Sequence, residues 1–223
     1  MSEYYSTNLS SNLLKQCYDI APRRVQQHLE SEIDYVLEHT NDSDSVLELG
    51  CGYGRVLKKI LPSSAEVIGI DTSRESLELA SEYTMYNPRC HLFQTSAERL
   101  PFRENSFDKV VCIQNGISAF KIDPKELIQE SIRVTKVGGL CLFSSYSPNF
   151  WKDRLEWFQM QADAGLLGEI DFEKTKDGII ACKDGFYATT YTKEDFENLM
   201  AQLDKEAMIV EVDRSSVFCI ITV

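Results

Sequence analysis

The chain has 223 residues, 43% of them apolar, which suits one well-packed domain, alone or with a small lid, and argues against a disordered chain. A formal net charge of -12 disfavours DNA or RNA as the main partner, because phosphate binding asks for a basic face; a small molecule or a protein substrate fits better. No apolar run is long enough to span a bilayer, and the polar, acidic start Met1-Ser2-Glu3-Tyr4-Tyr5 does not read as a secretory signal, so a cytoplasmic protein without a membrane contact is expected.

In chain order, a short helix is predicted over 13–18, ended by Pro22. Val25, Leu29, Ile33, Val36 and Leu37 then recur at helical spacing and predict an amphipathic helix over 22–39. After the loop 41–44, strands and helices alternate. Residues 46–49 read as a strand, 55–61 as a helix and 66–70 as a second strand. Thr72 with Glu75 predicts a capping box for a helix reaching Tyr83. Residues 90–95 and 109–113 form the third and fourth strands, the latter continuously apolar as a buried parallel strand is. Asp123-Pro124 opens a helix running to Val134, and Lys136-Val137-Gly138-Gly139 turns the chain into a fifth strand over 140–144. An irregular stretch over 146–191 follows, with a helix expected over 151–161 and a hairpin near Ile179 and Tyr187. Thr192 caps a last helix, and strands over 208–212 and 217–223 complete the chain. The succession predicts an α/β fold, an open and mostly parallel sheet with helices on both faces, whose ligands bind beyond the carboxyl ends of the strands. The insert at 146–191 falls on that edge and is a candidate lid.

Seven cysteines, an odd number scattered through strand-like segments with no CxxC pair, read as reduced core thiols. The three histidines are equally scattered, so no zinc site is expected.

The strongest local signal is Glu48-Leu49-Gly50-Cys51-Gly52-Tyr53-Gly54, between the first strand and the first helix after it. Glycines there permit positive φ and let a ligand approach the main chain. The spacing is GxGxG; the dinucleotide pattern GxGxxG would need glycine at 55, where Arg55 stands. This loop resembles the first motif of class I S-adenosylmethionine-dependent methyltransferases, and the resemblance continues along the chain over about 45–145. Asp71 ends the second strand, Ser96-Ala97-Glu98-Arg99-Leu100-Pro101-Phe102 is similar to the family's adenine loop, Ser106-Phe107-Asp108 to its fourth-strand entry, and Arg133-Val134 through Gly138-Gly139 to its approach to the fifth strand. The pattern is most like the type 11 subgroup.

The resemblance implies a three-layer sandwich around a mostly parallel seven-stranded sheet of order 3-2-1-4-5-7-6. One methyltransferase domain over 1–223 would divide into a helical cover (1–40), a cofactor core (41–145), the lid (146–191) and a C-terminal helix with two strands (192–223). It implies S-adenosyl-L-methionine as cofactor, leaving S-adenosyl-L-homocysteine. Glu48, Gly50, Cys51, Gly52 and Gly54 would face the methionyl end, Asp71 and Thr72 the ribose, Ser96, Ala97 and Glu98 the adenine, and Gln114 the reacting centre. Ser96 stands where the family usually has an aspartate, so a hydroxyl replaces a carboxylate there. Asn115 and Tyr146 are the catalytic candidates, and Tyr5, Tyr18, Trp151 and Tyr187 the candidates for holding the acceptor. Arg23, Arg24 and Arg154 are further candidates for meeting a carboxylate. No metal is implied. A small-molecule acceptor is expected, with a non-catalytic binding domain and a protein methyltransferase as the alternatives; the glycine spacing and the adenine loop oppose a nicotinamide-dependent oxidoreductase.

Overall fold

The computed structural model describes residues 11–223. Two helices lead in, α1 (Ser11–Asp19) and α2 (Arg23–Glu38). Pro22 separates them as an extended N-cap with ψ 160°. Strand and helix then alternate through β1 (Ser45–Leu49), α3 (Arg55–Ile60), β2 (Glu66–Asp71), α4 (Arg74–Tyr83), β3 (Cys90–Gln94) and β4 (Phe107–Cys112). A one-turn helix α5 (Gly116–Ala119), then α6 (Pro124–Val134), leads to β5 (Thr135–Tyr146). The insert holds α7 (Trp151–Asp163) and a short hairpin, β6 (Ile180–Ala181) with β7 (Tyr187–Ala188). α8 (Lys193–Leu203), β8 (Met208–Val212) and β9 (Ser216–Thr222) complete the chain.

The main sheet has the order β3-β2-β1-β4-β5-β9-β8, which is 3-2-1-4-5-7-6 when the hairpin strands are not counted. β1 to β5 run parallel, and β9 lies antiparallel between β5 and β8. Side chains alternate between the faces, as strand geometry requires. Leu47, Ile68, Val110, Phe143 and Cys219 join one buried cluster with α6 and α8. Val46, Val67, Val111, Leu142 and Phe218 join the other, with α2, α3 and α4. Because β1 lies between β2 and β4, the strand order reverses at β1, and a crevice opens at the carboxyl ends of β1 and β4.

Two local expectations are corrected. Ser73, not Thr72, caps α4: its side chain accepts the Ser76 N–H at 3.1 Å. The cap is one residue later because Asp71 accepts the Ser73 N–H at 2.9 Å, which spends Thr72 on the turn. The fifth strand begins at Thr135, which pairs with Phe107 before a register shift brings Leu140 opposite Lys109. The glycine pair is thus a bulge within the strand, with Gly138 at φ +79°.

The insert packs on the N-terminal helices. Cys17, Ala21, Val25 and Leu29 share a buried cluster with Phe150, Trp157, Phe158 and Phe186. The Trp157 indole N–H donates to the Cys17 carbonyl at 2.8 Å. The segment after β7 is laced to the sheet edge: Asn115 donates to the Thr189 carbonyl at 2.9 Å, and the Tyr191 N–H donates to Ser145 at 2.8 Å. Among the described residues, no helix is long and apolar enough to cross a membrane.

Candidate functional site

The crevice at the sheet's carboxyl edge is a deep cavity of about 1520 Å³, its open mouth included. Its floor is the turn from β1 into α3. Gly50 and Gly52 take φ of +71° and +52°, and a Cβ on Gly50 would lie 2.5 Å from the Phe120 ring, so only glycine fits there. The turn is fixed by Asp71, whose carboxylate accepts the Gly52 N–H at 2.9 Å and, through its other oxygen, the Ser73 N–H. Burial raises the Asp71 carboxyl above its ordinary value, and the N–H groups of Ser73, Gly52 and Thr72 draw it back.

Unsatisfied polar atoms converge above this turn. Glu48 is 4% exposed and its Oε2 has no hydrogen-bond partner. Burial pushes its carboxyl up to about 8, opposed by the Arg55 guanidinium. Arg55, the first residue of α3, lines the same cavity, and its Nε and Nη2 also lack partners. Its guanidinium lies 5.1 Å from the centre of the Tyr18 ring. Gln114 follows β4 with φ +56°; its Oε1 accepts the Tyr18 hydroxyl at 3.0 Å, while its Nε2 is buried without a partner. Burial pushes the Tyr18 phenol up to about 12, so it keeps its proton and donates. An unpaired buried polar group costs about 1–3 kcal/mol. One carboxyl, one guanidinium and one amide donor, each with a buried atom left without a partner in a single cavity, fit a ligand with its own charges.

The cavity takes in most of the residues singled out from the sequence. Glu48, Gly50, Cys51, Gly52, Asp71 and Thr72 line one end, with Ser96 and Ala97 beside them. Gln114, Asn115, Tyr18 and Tyr146 line the rest. The Asn115 amide is engaged on both sides, donating to the Thr189 carbonyl and accepting the Ser145 hydroxyl at 2.7 Å, which makes it a strut between insert and sheet. Tyr146 is buried and carries Arg154 over its ring at 4.4 Å.

Other residues lie elsewhere. Gly54 does not reach the cavity; it caps α3 at φ +82°, where a Cβ would come within 3.2 Å of the Ala80 backbone, so its task is to let α3 approach α4. Glu98 is exposed, and its N–H turns back to the Ser96 hydroxyl. Trp151 lines a shallow outer groove with Leu155 and Phe172. Tyr187, 44% exposed, sits outside against Lys121, because odd and even residues of the hairpin face opposite ways and its neighbours Phe186 and Ala188 take the inner side. Tyr5 lies outside the described residues. Arg24 is paired with Asp213, Arg23 is exposed, and Arg154 is buried and donates to the Gly178 carbonyl, so none of the three lines the cavity.

Three contributors are missed by the sequence reading. Arg55 enters the sequence reading only as a non-glycine, although the first residue of the helix after a ligand-facing loop can reach back into it. Arg133 donates to the carbonyls of Phe102 and Leu100 and so fixes the 96–102 loop. Glu32 is fully buried on α2 and accepts the Gln114 N–H at 2.9 Å. Its signal is an acid inside an apolar stripe, between Leu29, Ile33 and Val36.

An open sheet of this order with an antiparallel penultimate strand, carrying a GxGxG turn and a terminal β2 aspartate at its switch point, defines the class I methyltransferase fold. Residues 46–139 match the family model described as a methyltransferase domain. Among curated proteins, it is 31% identical to the tRNA N(3)-methylcytidine methyltransferase Mettl2 of Drosophila melanogaster, over 75% of this chain and 51% of that protein. It is 27% identical to the ubiquinone biosynthesis O-methyltransferase of Idiomarina loihiensis, over 52% of this chain and 49% of that protein. The chain thus spans about half the length of these relatives. Among solved structures, its fold is similar to the N-methyltransferase NodS of Bradyrhizobium japonicum in complex with S-adenosyl-L-homocysteine, with TM-score 0.60, 14% identity and coverage of 96% of this chain and 97% of that one.

Proposed function

We propose that this chain transfers a methyl group from S-adenosylmethionine to a small-molecule acceptor by holding the two in line, without a metal. The observation that carries the reading is the convergence of Glu48, Arg55 and Gln114, each with a buried polar atom that has no partner, on the glycine turn. S-adenosylmethionine, when bound, supplies a methyl group already activated on a sulfonium, so the chain's task is orientation and exclusion of water.

Each residue's part follows from its chemistry. Glu48 offers negative charge to the cationic methionyl end, and Arg55 and Gln114 offer donors to its carboxylate. Asp71 has both oxygens anchored by backbone N–H groups and presents its remaining lone pairs to the ribose hydroxyls. Ser96 and Ala97 border the adenine. Tyr18, Tyr146, Trp157, Phe158 and Phe186 wall the remaining volume and keep water from the reacting atoms. This aromatic, insert-covered chamber and the net charge of -12 support a small acceptor over a polynucleotide, as in the ubiquinone-pathway relative and unlike the tRNA-modifying one. Seven free cysteines, six of them buried, fit a reducing compartment such as the cytoplasm.

Calorimetric titration with S-adenosylhomocysteine and with NAD tests the cofactor reading, and binding of the first alone is expected. Tight binding of NAD alone would overturn it. Formation of S-adenosylhomocysteine with a panel of small phenols, amines and thiols separates an enzyme from a silent binding domain.

A further inference from the structure

Gln114 and Asn115 are consecutive non-glycine residues in the left-handed region, with φ of +56° and +63°. Such a pair is costly unless the surroundings hold it. The Gln114 N–H is held from beneath by two acceptors at once, the Glu32 Oε2 and the Ser144 Oγ, each at 2.9 Å. Glu32 is fully buried, and the hydroxyls of Ser144 on β5 and Ser216 on β9 lie beside its carboxyl and counter the upward push of burial on it. One side chain from α2 therefore reaches through the helical layer to the carboxyl ends of β4 and β5 and the amino end of β9. On the cavity side, the Tyr18 hydroxyl occupies the Gln114 Oε1 and so fixes which way the amide is turned. The amide's Nε2 remains, buried and without a partner, lining the cavity beside Arg55 and Glu48.

We propose that Glu32 is a positioning residue for cofactor binding: it holds Gln114 in its left-handed turn so that the Gln114 Nε2 donates, together with Arg55, to the carboxylate of the methionyl group. The inference rests on the S-adenosylmethionine reading of the cavity for its ligand, but the Glu32–Gln114 coupling is a property of the ligand-free protein as well. Glu32 does not line the cavity and acts only through Gln114. Its carboxyl in either protonation state keeps an oxygen to accept the Gln114 N–H, as does a glutamine amide.

The test is a double-mutant cycle read by calorimetric titration with S-adenosylhomocysteine. Glu32→Ala and Gln114→Ala should each weaken binding about tenfold or more, and the double variant should be no weaker than Gln114→Ala alone. Glu32→Gln should restore most of the affinity lost in Glu32→Ala. Additive losses, or no rescue by Glu32→Gln while that variant is folded, would overturn the proposal. If the native chain binds no S-adenosylhomocysteine, the cofactor reading fails, and the coupling is then decided by the ligand-free crystal structure of Glu32→Ala. Release of Gln114 from positive φ there supports the positioning role; an unmoved Gln114 removes it.

Discussion

Replacing Glu48 by glutamine should stabilise the empty protein at alkaline pH while weakening it as a cofactor binder. Glu48 is 4% exposed, and burial lifts its carboxyl from an ordinary 4.5 to about 8. At about 1.4 kcal/mol per pH unit, ionising it in place costs the folded state up to about 5 kcal/mol. The sign follows from proton linkage. A carboxyl whose folded value is raised binds its proton more tightly in the native than in the unfolded chain. Native stability therefore falls as pH rises from about 4.5 and levels off above about 8. Glutamine resembles the protonated acid and carries no such slope. Urea unfolding of both proteins at pH 5 and pH 9 should show a difference below about 1 kcal/mol at the lower pH and several kcal/mol, up to about 5, at the higher, in favour of Glu48→Gln. Saturating S-adenosylhomocysteine should shrink that gap, because the ligand's ammonium compensates the buried carboxylate in the native protein only. An equal difference at both pH values would refute the claim that Glu48 is a desolvated, unpaired acid.

Other outcomes follow from the same geometry. Asp71→Ala should weaken S-adenosylhomocysteine binding by about 1–3 kcal/mol, since it removes the ribose acceptor and frees the Gly52 and Ser73 N–H groups; unchanged affinity by calorimetry would take Asp71 out of the site. Gly54→Ala should lower stability by about 1–2 kcal/mol in chemical unfolding, because φ +82° and the Ala80 backbone both resist a side chain. Asn115→Ala should speed hydrogen exchange in residues 187–191 more than elsewhere, as it cuts the tie to Thr189. Equal protection there would mean that the ties from Ser118, Lys121 and Ser145 suffice without it.

The sequence alone determined the order of elements and the ligand-facing turn. Alternating apolar strands, a Pro-separated helical pair, the Asp123-Pro124 start of α6 and the Thr192 capping box are local signals, set by backbone sterics and hydrogen bonds within a few residues. The same holds in part for residues 50–54, where GxGxG permits the positive φ of Gly50 and Gly52 that Asp71 then holds. Only tertiary structure decided which side chains share the cavity. It drew Glu32 beneath Gln114 across 82 positions of chain, set Arg55 against Tyr18, engaged both sides of the Asn115 amide in tying down the insert, and turned Tyr187 and Trp151 outward. These outcomes depend on how one surface meets another far away in sequence. Periodicity says which face of an element is buried, but not which distant partner it is buried against.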